Sequence, residues 1–122
     1  MSYAEARFDM PPSANRMWRK GPFGMHPSAE YKAWKTAAST QVLIGRKGLT
    51  IDAPVEVTIV AKQTHKGRDL DNIIKPCVDA LQEGGLLSND NHVRRLFVRW
   101  ADFAQDEKEL AGREVRVEVR TL

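Results

Sequence analysis

The period of the hydrophobic pattern changes along the second half of the chain, and these changes limit the class of fold. Residues 54–60 are rich in β-branched side chains with partial alternation, which predicts a strand. From Asp71 to about Glu83 apolar side chains recur at helical spacing, so that Ile74, Cys77, Val78 and Leu81 are expected to face the core, and two glycines then end the predicted helix. Residues 93–100 and 113–120 alternate between apolar and polar side chains, so both segments predict strands.

The first half of the chain predicts one strand and one helix, separated by loops. Residues 1–8 predict a short edge strand. The prolines within residues 11–16 exclude regular structure there, and residues 21–24 predict a second loop. Ser28 is a suitable N-cap for a helix, and the glycines of residues 45–48 end its pattern.

The elements therefore occur in the order strand, helix, strand, helix, strand, strand. This order predicts an α+β fold, a two-layer sandwich in which a mixed β-sheet packs against two helices. Its last two strands are expected to form a hairpin, with the acidic residues 102–109 as a long solvated loop. At 122 residues the chain is expected to form one domain over residues 1–122.

Composition excludes several classes of protein. The single cysteine, Cys77, excludes an intramolecular disulfide framework and a cysteine-based zinc cluster, and it is expected to be buried. No apolar run is long enough to span a membrane. The first ten residues include Glu5 and Asp9 and lack the apolar stretch of a secretory signal, so a cytoplasmic location is expected.

The charge of the chain is mildly basic, with 19 Lys and Arg against 16 Asp and Glu, and a net charge of +3. Residues 1–52 carry 8 of the basic and 4 of the acidic side chains, so the basic excess lies in the first half. Such a balance is compatible with nucleic-acid binding and equally with many ordinary proteins.

The segment from Asp69 to Asp79 brings acidic side chains and a lysine together. In an extended segment Asp69 and Asp71 project to the same side, because side chains alternate. On the following helix Asp71, Lys75 and Asp79 share one face, because they are four residues apart. Asp90 lies beyond the glycine turn, just before a predicted strand, so the chain can return it to the same site.

A cluster of Asp69, Asp71 and Asp90 would need a cation. Carboxylates about 5–6 Å apart repel by roughly 3 kcal/mol per pair at an effective dielectric constant near 20. Oxygen ligands suit Mg²⁺, with Mn²⁺ as a substitute. Such a site beside Lys75 is suited to phosphodiester hydrolysis, with the lysine steadying a phosphate oxygen or the nucleophile.

The same residues also permit a purely structural interpretation. Asp71 or Asn72 would then cap the helix, Lys75 would form ordinary surface ion pairs with Asp71 and Asp79, and residues 89–91 would form a plain turn.

Further residues around the acids are candidates for contacts with DNA. Trp18 and Phe23 suit stacking on unpaired bases, although packing against the core as loop anchors is the favoured interpretation. Basic side chains flank the acids in sequence and suit phosphate binding, with solvated surface charge as the alternative. These side chains are Arg16, Arg19, Lys20, Lys66, Arg68, Arg94 and Arg95.

Several short motifs occur together over roughly residues 8 to 100, and their joint order is more specific than any one of them. They are residues 69–72 (DLDN) with Lys75, residues 79–81 (DAL), Gly85, residues 89–90 (ND) with Val93, residues 11–16 (PPSANR) and residues 28–30 (SAE). In this combination the chain resembles the RusA-type Holliday-junction resolvases. It departs from some members at Asn89, where they have a second acid beside the one matched by Asp90.

The resemblance implies a Mg²⁺-dependent endonuclease that nicks four-way DNA junctions symmetrically, in DNA recombination and repair. It implies Asp69, Asp71 and Asp90 as metal ligands and Lys75 as the catalytic lysine, with no organic cofactor and no membrane partner. It also implies a homodimer, and a two-fold dimer suits a nearly two-fold symmetric junction that needs paired cuts. The alternatives are a non-catalytic nucleic-acid-binding module and a nuclease for other branched DNA.

Overall fold

The computed structural model describes residues 1–122, which form six strands, four helices and two short 3₁₀ turns. The strands are β1 (Tyr3–Phe8), β2 (Trp18–Gly21), β3 (Gly24–Pro27), β4 (Val55–Ala61), β5 (Val93–Trp100) and β6 (Val115–Thr121). The helices are α1 (Ala14–Met17), α2 (Ala29–Gly45), α3 (Ile74–Glu83) and α4 (Ala104–Leu110). Two short 3₁₀ turns, Leu70–Ile73 and Asp90–His92, directly precede α3 and β5.

Four strands form a mixed sheet in the order β1-β6-β4-β5, and β2 pairs only with β3. Strand β6 runs antiparallel to both of its neighbours, whereas β4 and β5 are parallel and are joined through α3. The predicted α+β fold with a mixed sheet is therefore confirmed. The predicted edge strand at the N-terminus is also confirmed, since β1 forms one edge of the sheet.

The hydrophobic core lies between one face of this sheet and the helices α2 and α3. Alternate valines of β6, Val115, Val117 and Val119, are fully buried in it. The helices approach each other closely at Gly84, where an added Cβ would lie 2.5 Å from the Cβ of Val42. Only a residue without a side chain fits this contact between the helices.

Helix α2 begins as the sequence predicts. The Ser28 hydroxyl accepts a hydrogen bond from the amide of Tyr31 at 3.0 Å, which satisfies one of the free donors of the first turn. The same hydroxyl donates to the carbonyl of Arg16 at 2.6 Å, so the cap also ties the helix to the preceding loop.

Helix α3 differs from its prediction in where it starts and in which residues it buries. Residues 70–73 form a 3₁₀ turn, and the α-helix begins only at Ile74. The fully buried side chains include Cys77 and Leu81, as predicted, but Ile74 and Val78 are only half-buried. The apolar stripe is therefore rotated towards Ile73, which packs inside the core.

The prediction that the last two strands form a hairpin is wrong. Strand β4 lies between β5 and β6 and pairs with both. The acidic linker is not a solvated loop either, because it contains α4. This helix buries Leu110, and its buried Asp106 carboxylate accepts a hydrogen bond from Arg99 at 2.5 Å. These two anchors hold the linker against the outer face of the sheet.

The proline-rich segment is more regular than its sequence predicts. After the prolines of residues 11–12, residues 14–17 form a single helical turn, because neither proline lies within it. Strands β2 and β3 then form a short antiparallel hairpin around residues 21–24. Gly24 adopts a φ of 109°, a conformation that favours glycine, which explains how the loop closes so tightly.

The outer face of the sheet carries ion pairs. Arg116 of β6 is hydrogen-bonded to Glu5 at 2.6 Å and also contacts Glu109 and Glu118. Arg120 donates to Glu56 at 2.5 Å, which raises the pKa of this guanidinium. The outward-facing polar side chains of β6 thus form ion pairs with side chains of the neighbouring strands β1 and β4. None of the helices combines the length and the apolar character that a bilayer crossing needs.

Candidate functional site

The first acid-bearing segment is the 3₁₀ turn that follows the loop of residues 62–69. Asp69 precedes the turn in an extended conformation and Asp71 lies within it, and both residues are exposed. Ile73 of the same turn is fully buried and Leu70 is half-buried. The apolar residues therefore anchor the turn while the carboxylates face solvent.

Lys75 follows in the first turn of α3 and extends the same polar surface. Its Nζ lies 3.3 Å from Oδ1 of Asp79, one helical turn further on. The Lys75 side chain is 79% exposed, whereas that of Asp79 is 23% exposed. The pair is weak, because solvent screens it, and it leaves the ammonium accessible to a ligand.

Asp71, Lys75 and Asp79 line one wall of a cleft of about 320 Å³. The opposite wall comes from α1, the β2–β3 hairpin and the start of α2. It consists of Ala14, Met17, Trp18, Pro27, Tyr31 and Lys35. The hairpin that the sequence analysis missed is therefore part of this cleft.

Asp90 occupies the second 3₁₀ turn and is exposed. Its backbone amide donates to Oε1 of Gln82 at 2.8 Å, which fixes the turn to α3. The side chain of Asn89 accepts from the amide of Asn91 at 3.0 Å and so caps the turn. Asn89, at which the chain departs from some RusA-type resolvases, thus stabilises the turn that carries Asp90.

The two acid-bearing turns border the same two elements. The turn of residues 70–73 continues into α3 and contacts β5, and the turn of residues 90–92 contacts α3 and continues into β5. However, no three His, Cys, Asp or Glu side chains lie close enough together to hold a metal ion. The structure therefore pairs Asp69 and Asp71 on one turn but does not join Asp90 to them in one ligand set.

The donor atoms nevertheless fit a hard divalent cation. Asp69, Asp71 and Asp90 offer carboxylate oxygens, and Asn72 adds an exposed amide in the same turn. Mg²⁺ and Mn²⁺ prefer such oxygen ligands, and neither thiolate nor imidazole is part of the set.

Sequence reasoning missed Asp52, which positions the Asp90 turn. Its Oδ1 accepts from the Ser88 hydroxyl at 2.5 Å and lies 2.9 Å from Nε2 of His92. The hydrogen bond from Ser88, followed by the contact with His92, lowers the pKa of this carboxyl. Asp52 thus holds both ends of the segment that carries Asp90. It lies 36 residues before Ser88 in sequence, so no local pattern could have indicated the contact.

Two of the predicted DNA-binding arginines have internal partners. Arg68 donates to the carbonyl of Pro11 at 2.8 Å, and burial lowers the pKa of its guanidinium. Arg16 forms an ion pair with Glu30 at 2.7 Å. Arg68 therefore helps to fix the loops around the cleft, whereas the Arg16–Glu30 pair is exposed and screened by solvent. The remaining predicted residues, Arg19, Lys20, Lys66, Arg94 and Arg95, are exposed.

The two aromatic candidates have different environments. Trp18 is 42% exposed and packs edge-on against Tyr31, with 5.9 Å between ring centroids. Phe23 is fully exposed, at 102% of its reference accessibility. The favoured interpretation as loop anchors therefore holds in part for Trp18 and is wrong for Phe23. Cys77 is buried as predicted, and burial raises the pKa of its thiol far above the ordinary value.

A model of the endodeoxyribonuclease RusA family matches residues 9–121, nearly the whole chain. The chain belongs to the RusA family. RusA proteins are endodeoxyribonucleases, so this member is a hydrolase that acts on DNA. The match includes both acid-bearing turns, Lys75 and the β2–β3 hairpin. No curated protein matches the chain significantly.

Proposed function

We propose that this RusA-family protein is a Mg²⁺-dependent endonuclease that resolves four-way DNA junctions by paired, symmetric nicks, in recombination and repair. The observation that carries the proposal is the family match over residues 9–121, which includes an exposed surface formed by Asp69, Asp71 and Lys75. In this proposal residues 1–122 form one endonuclease domain, and Mn²⁺ substitutes for Mg²⁺.

Asp69, Asp71 and Asp90 are the proposed metal ligands. A bound Mg²⁺ supplies an activated water and neutralises charge on the phosphate. The protein contributes oxygen donors on two separately anchored turns: the buried Ile73 holds the first, and Gln82 and Asp52 hold the second. Because all three carboxylates are exposed, their side chains remain free to turn towards a common ion.

Lys75 is the proposed catalytic lysine. Lys75 follows Asp71 by four residues and lines the same cleft, with its ammonium 3.3 Å from Asp79 and accessible to solvent. From there it can donate to a phosphate oxygen and stabilise the negative charge that develops during hydrolysis. Asp79 is a partner of the lysine in this proposal, and it is not a metal ligand.

The DNA surface is proposed to extend from the cleft in two directions. Arg19 and Lys20 lie on the hairpin side, and Arg94 and Arg95 lie at the start of β5, after the Asp90 turn. Lys66 lies in the loop that leads to Asp69. Arg16 and Arg68 contribute further positive charge, and Arg68 also fixes its loop to the carbonyl of Pro11. Phosphate contacts of this kind give affinity without base specificity and weaken as salt rises.

A homodimer completes the proposal. A four-way junction has nearly two-fold symmetry, and its resolution needs two cuts at a fixed separation. Two copies of the chain related by a two-fold axis present two identical sites to such a substrate.

A cleavage assay on labelled synthetic DNA tests the proposal. The purified protein is incubated with a four-way junction, a forked duplex and a linear duplex, each with Mg²⁺ and with a chelator. We expect symmetric nicks in the junction only when Mg²⁺ is present. Cleavage confined to forks would identify a nuclease for other branched DNA. Junction binding in chelator with no products in Mg²⁺ would identify a non-catalytic binding module.

A further inference from the structure

The β2–β3 hairpin ends in an aromatic side chain that nothing in the chain covers. Its tip consists of residues 21–24, with Phe23 fully exposed next to Pro22. An apolar ring in this position gains nothing from packing in the folded chain, because it contacts mainly water. The rigid proline and the short turn hold it at the end of a projecting ribbon.

The hairpin connects this tip to the cleft through one continuous face. Trp18 pairs with Pro27, and Lys20 pairs with Met25 two residues nearer the tip, so these side chains lie on the same side of the ribbon. Trp18 and Pro27 line the cleft opposite Asp71. The surface therefore runs from the proposed site to the tip, through a lysine and an exposed methionine.

The length of the ribbon sets the distance that it spans. From Trp18 to Gly21 the strand advances three residues, which is about 10 Å at about 3.3 Å per residue. Bases along one strand of a duplex are about 3.4 Å apart. For a DNA strand that follows the ribbon, this length corresponds to roughly three nucleotides beyond the wall of the cleft.

We infer that Phe23 is a positioning residue that stacks on an unpaired base at the branch point of the DNA. The identity of the partner rests on the proposed function. Arg19 and Lys20 lie on β2 directly before the tip and attract phosphates, so a nucleic-acid strand is the partner whose charge fits this ribbon. Aromatic rings stack on any base that is not paired, and apolar side chains that enter base steps kink the duplex.

A stacked base at the tip would fix the register of the cut. With one base held by Phe23, the phosphate that lies over Asp71 and Lys75 is set by the length of the hairpin. The hairpin thus determines which bond is cleaved relative to the branch point. The two acid-bearing turns carry the groups that act in the cleavage itself.

The test compares Phe23→Ala with Phe23→Trp, which keeps an aromatic ring, and with Phe103→Ala, which removes another exposed phenylalanine. Binding is measured in chelator by fluorescence anisotropy, with a four-way junction and a linear duplex. Because Phe23 is exposed, its replacement should leave the fold unchanged, and circular dichroism checks this. A 2-aminopurine placed at the branch point reports unstacking of that base.

We expect Phe23→Ala to bind the junction about 10-fold more weakly and the linear duplex as well as the wild type does. The 2-aminopurine signal should change with the wild type and with Phe23→Trp, but not with Phe23→Ala. Cleavage in Mg²⁺ by Phe23→Ala should spread over several bonds. Phe103→Ala should behave as the wild type.

Four results would overturn the inference. In the first, Phe23→Ala matches the wild type in junction affinity, 2-aminopurine signal and cut position, while wild-type cleavage shows that the proposed function stands. An equal loss of affinity for the junction and for the linear duplex would show that Phe23 contacts DNA without recognising the branch point. A change of oligomeric state in sedimentation, with unchanged DNA binding per dimer, would assign the tip to a second copy of the chain. Failure of the wild type to bind any DNA would reject both the inference and the proposed function.

Discussion

The centre of the sheet and the two acid-bearing turns are built in opposite ways. In β4 and β6 nearly every inward side chain is fully buried, and each strand pairs on both sides. The turns of residues 70–73 and 90–92 expose their acids and depend on a few anchors, such as Ile73 and the hydrogen bond from the Asp90 amide to Gln82. Packing therefore fixes the scaffold, and the proposed chemistry lies on turns whose acidic side chains are exposed. Changes in one region should leave the other nearly intact.

The largest effect on activity without an effect on stability is expected for a change at Asp71. Asp71→Asn keeps the shape of the side chain and removes its charge, so junction cleavage in Mg²⁺ should fall by more than about 100-fold. The melting temperature and junction binding should stay the same, because the residue is exposed. Gel assays and thermal denaturation measure both properties. Asp102→Asn, at another exposed acid, is the control, and full cleavage by Asp71→Asn would remove this residue from the metal site.

A change at Gly84, in the packed scaffold, is expected to lower stability. A Cβ there would lie 2.5 Å from the Cβ of Val42 and 2.8 Å from the carbonyl of Ser39. Gly84→Ala should therefore lower the free energy of unfolding by about 1–3 kcal/mol. Urea denaturation measures the loss. Gly67→Ala is the matched control, since nothing lies within 4 Å of the added atom. Equal stability of the two variants would show that the helices do not pack as closely as described.

A smaller effect on activity is expected at Lys75. Lys75→Ala should reduce turnover about 10-fold with little change in junction affinity, because solvent weakens the action of an exposed ammonium. Single-turnover kinetics separate the two quantities. Lys75→Arg should keep part of the rate. A loss that is confined to affinity would make Lys75 a docking residue for DNA.

The smallest expected effect concerns the ion pair between the half-exposed Arg99 and the buried Asp106 of α4. The hydrogen bond from Arg99 holds the pKa of Asp106 below its ordinary value. The pair therefore stabilises the fold above about pH 4, and this contribution is lost as pH falls through the lowered pKa. Denaturation of the wild type and Asp106→Asn at several pH values should show a stability gap that narrows in acid. A gap that is independent of pH would contradict the assigned pair.

Local patterns in the sequence were enough to predict much of the scaffold. The alternation of apolar and polar side chains predicted which face of β6 is buried, and Ser28 predicted the start of α2. Both features depend only on neighbours within a few residues. The neighbour of β6 was not predictable in this way. Alternation determines which face of a strand is buried and leaves its partner open, so the position of β4 between β5 and β6 was missed.

Two elements were missed because their composition conceals them. The prolines of residues 11–12 suggested an irregular segment, although the hairpin begins six residues beyond them, at Trp18. The acidic linker looked like solvated loop, although Leu110 and Asp106 anchor it as a helix. In the site, helical spacing predicted that Asp71 and Lys75 share one face, and both line the cleft. The relation of Asp90 to them depends on the crossover through α3, which sequence spacing does not determine.

The central claim is that Asp90 shares one metal ion with Asp69 and Asp71. Titration with Mn²⁺ followed by electron paramagnetic resonance tests it directly, without DNA or catalysis. The wild type should bind Mn²⁺, and Asp69→Asn, Asp71→Asn and Asp90→Asn should each weaken binding to a similar degree, while Asp102→Asn should not. Binding by Asp90→Asn that equals the wild type, with Asp71→Asn impaired, would contradict the claim and leave Asp90 outside the site.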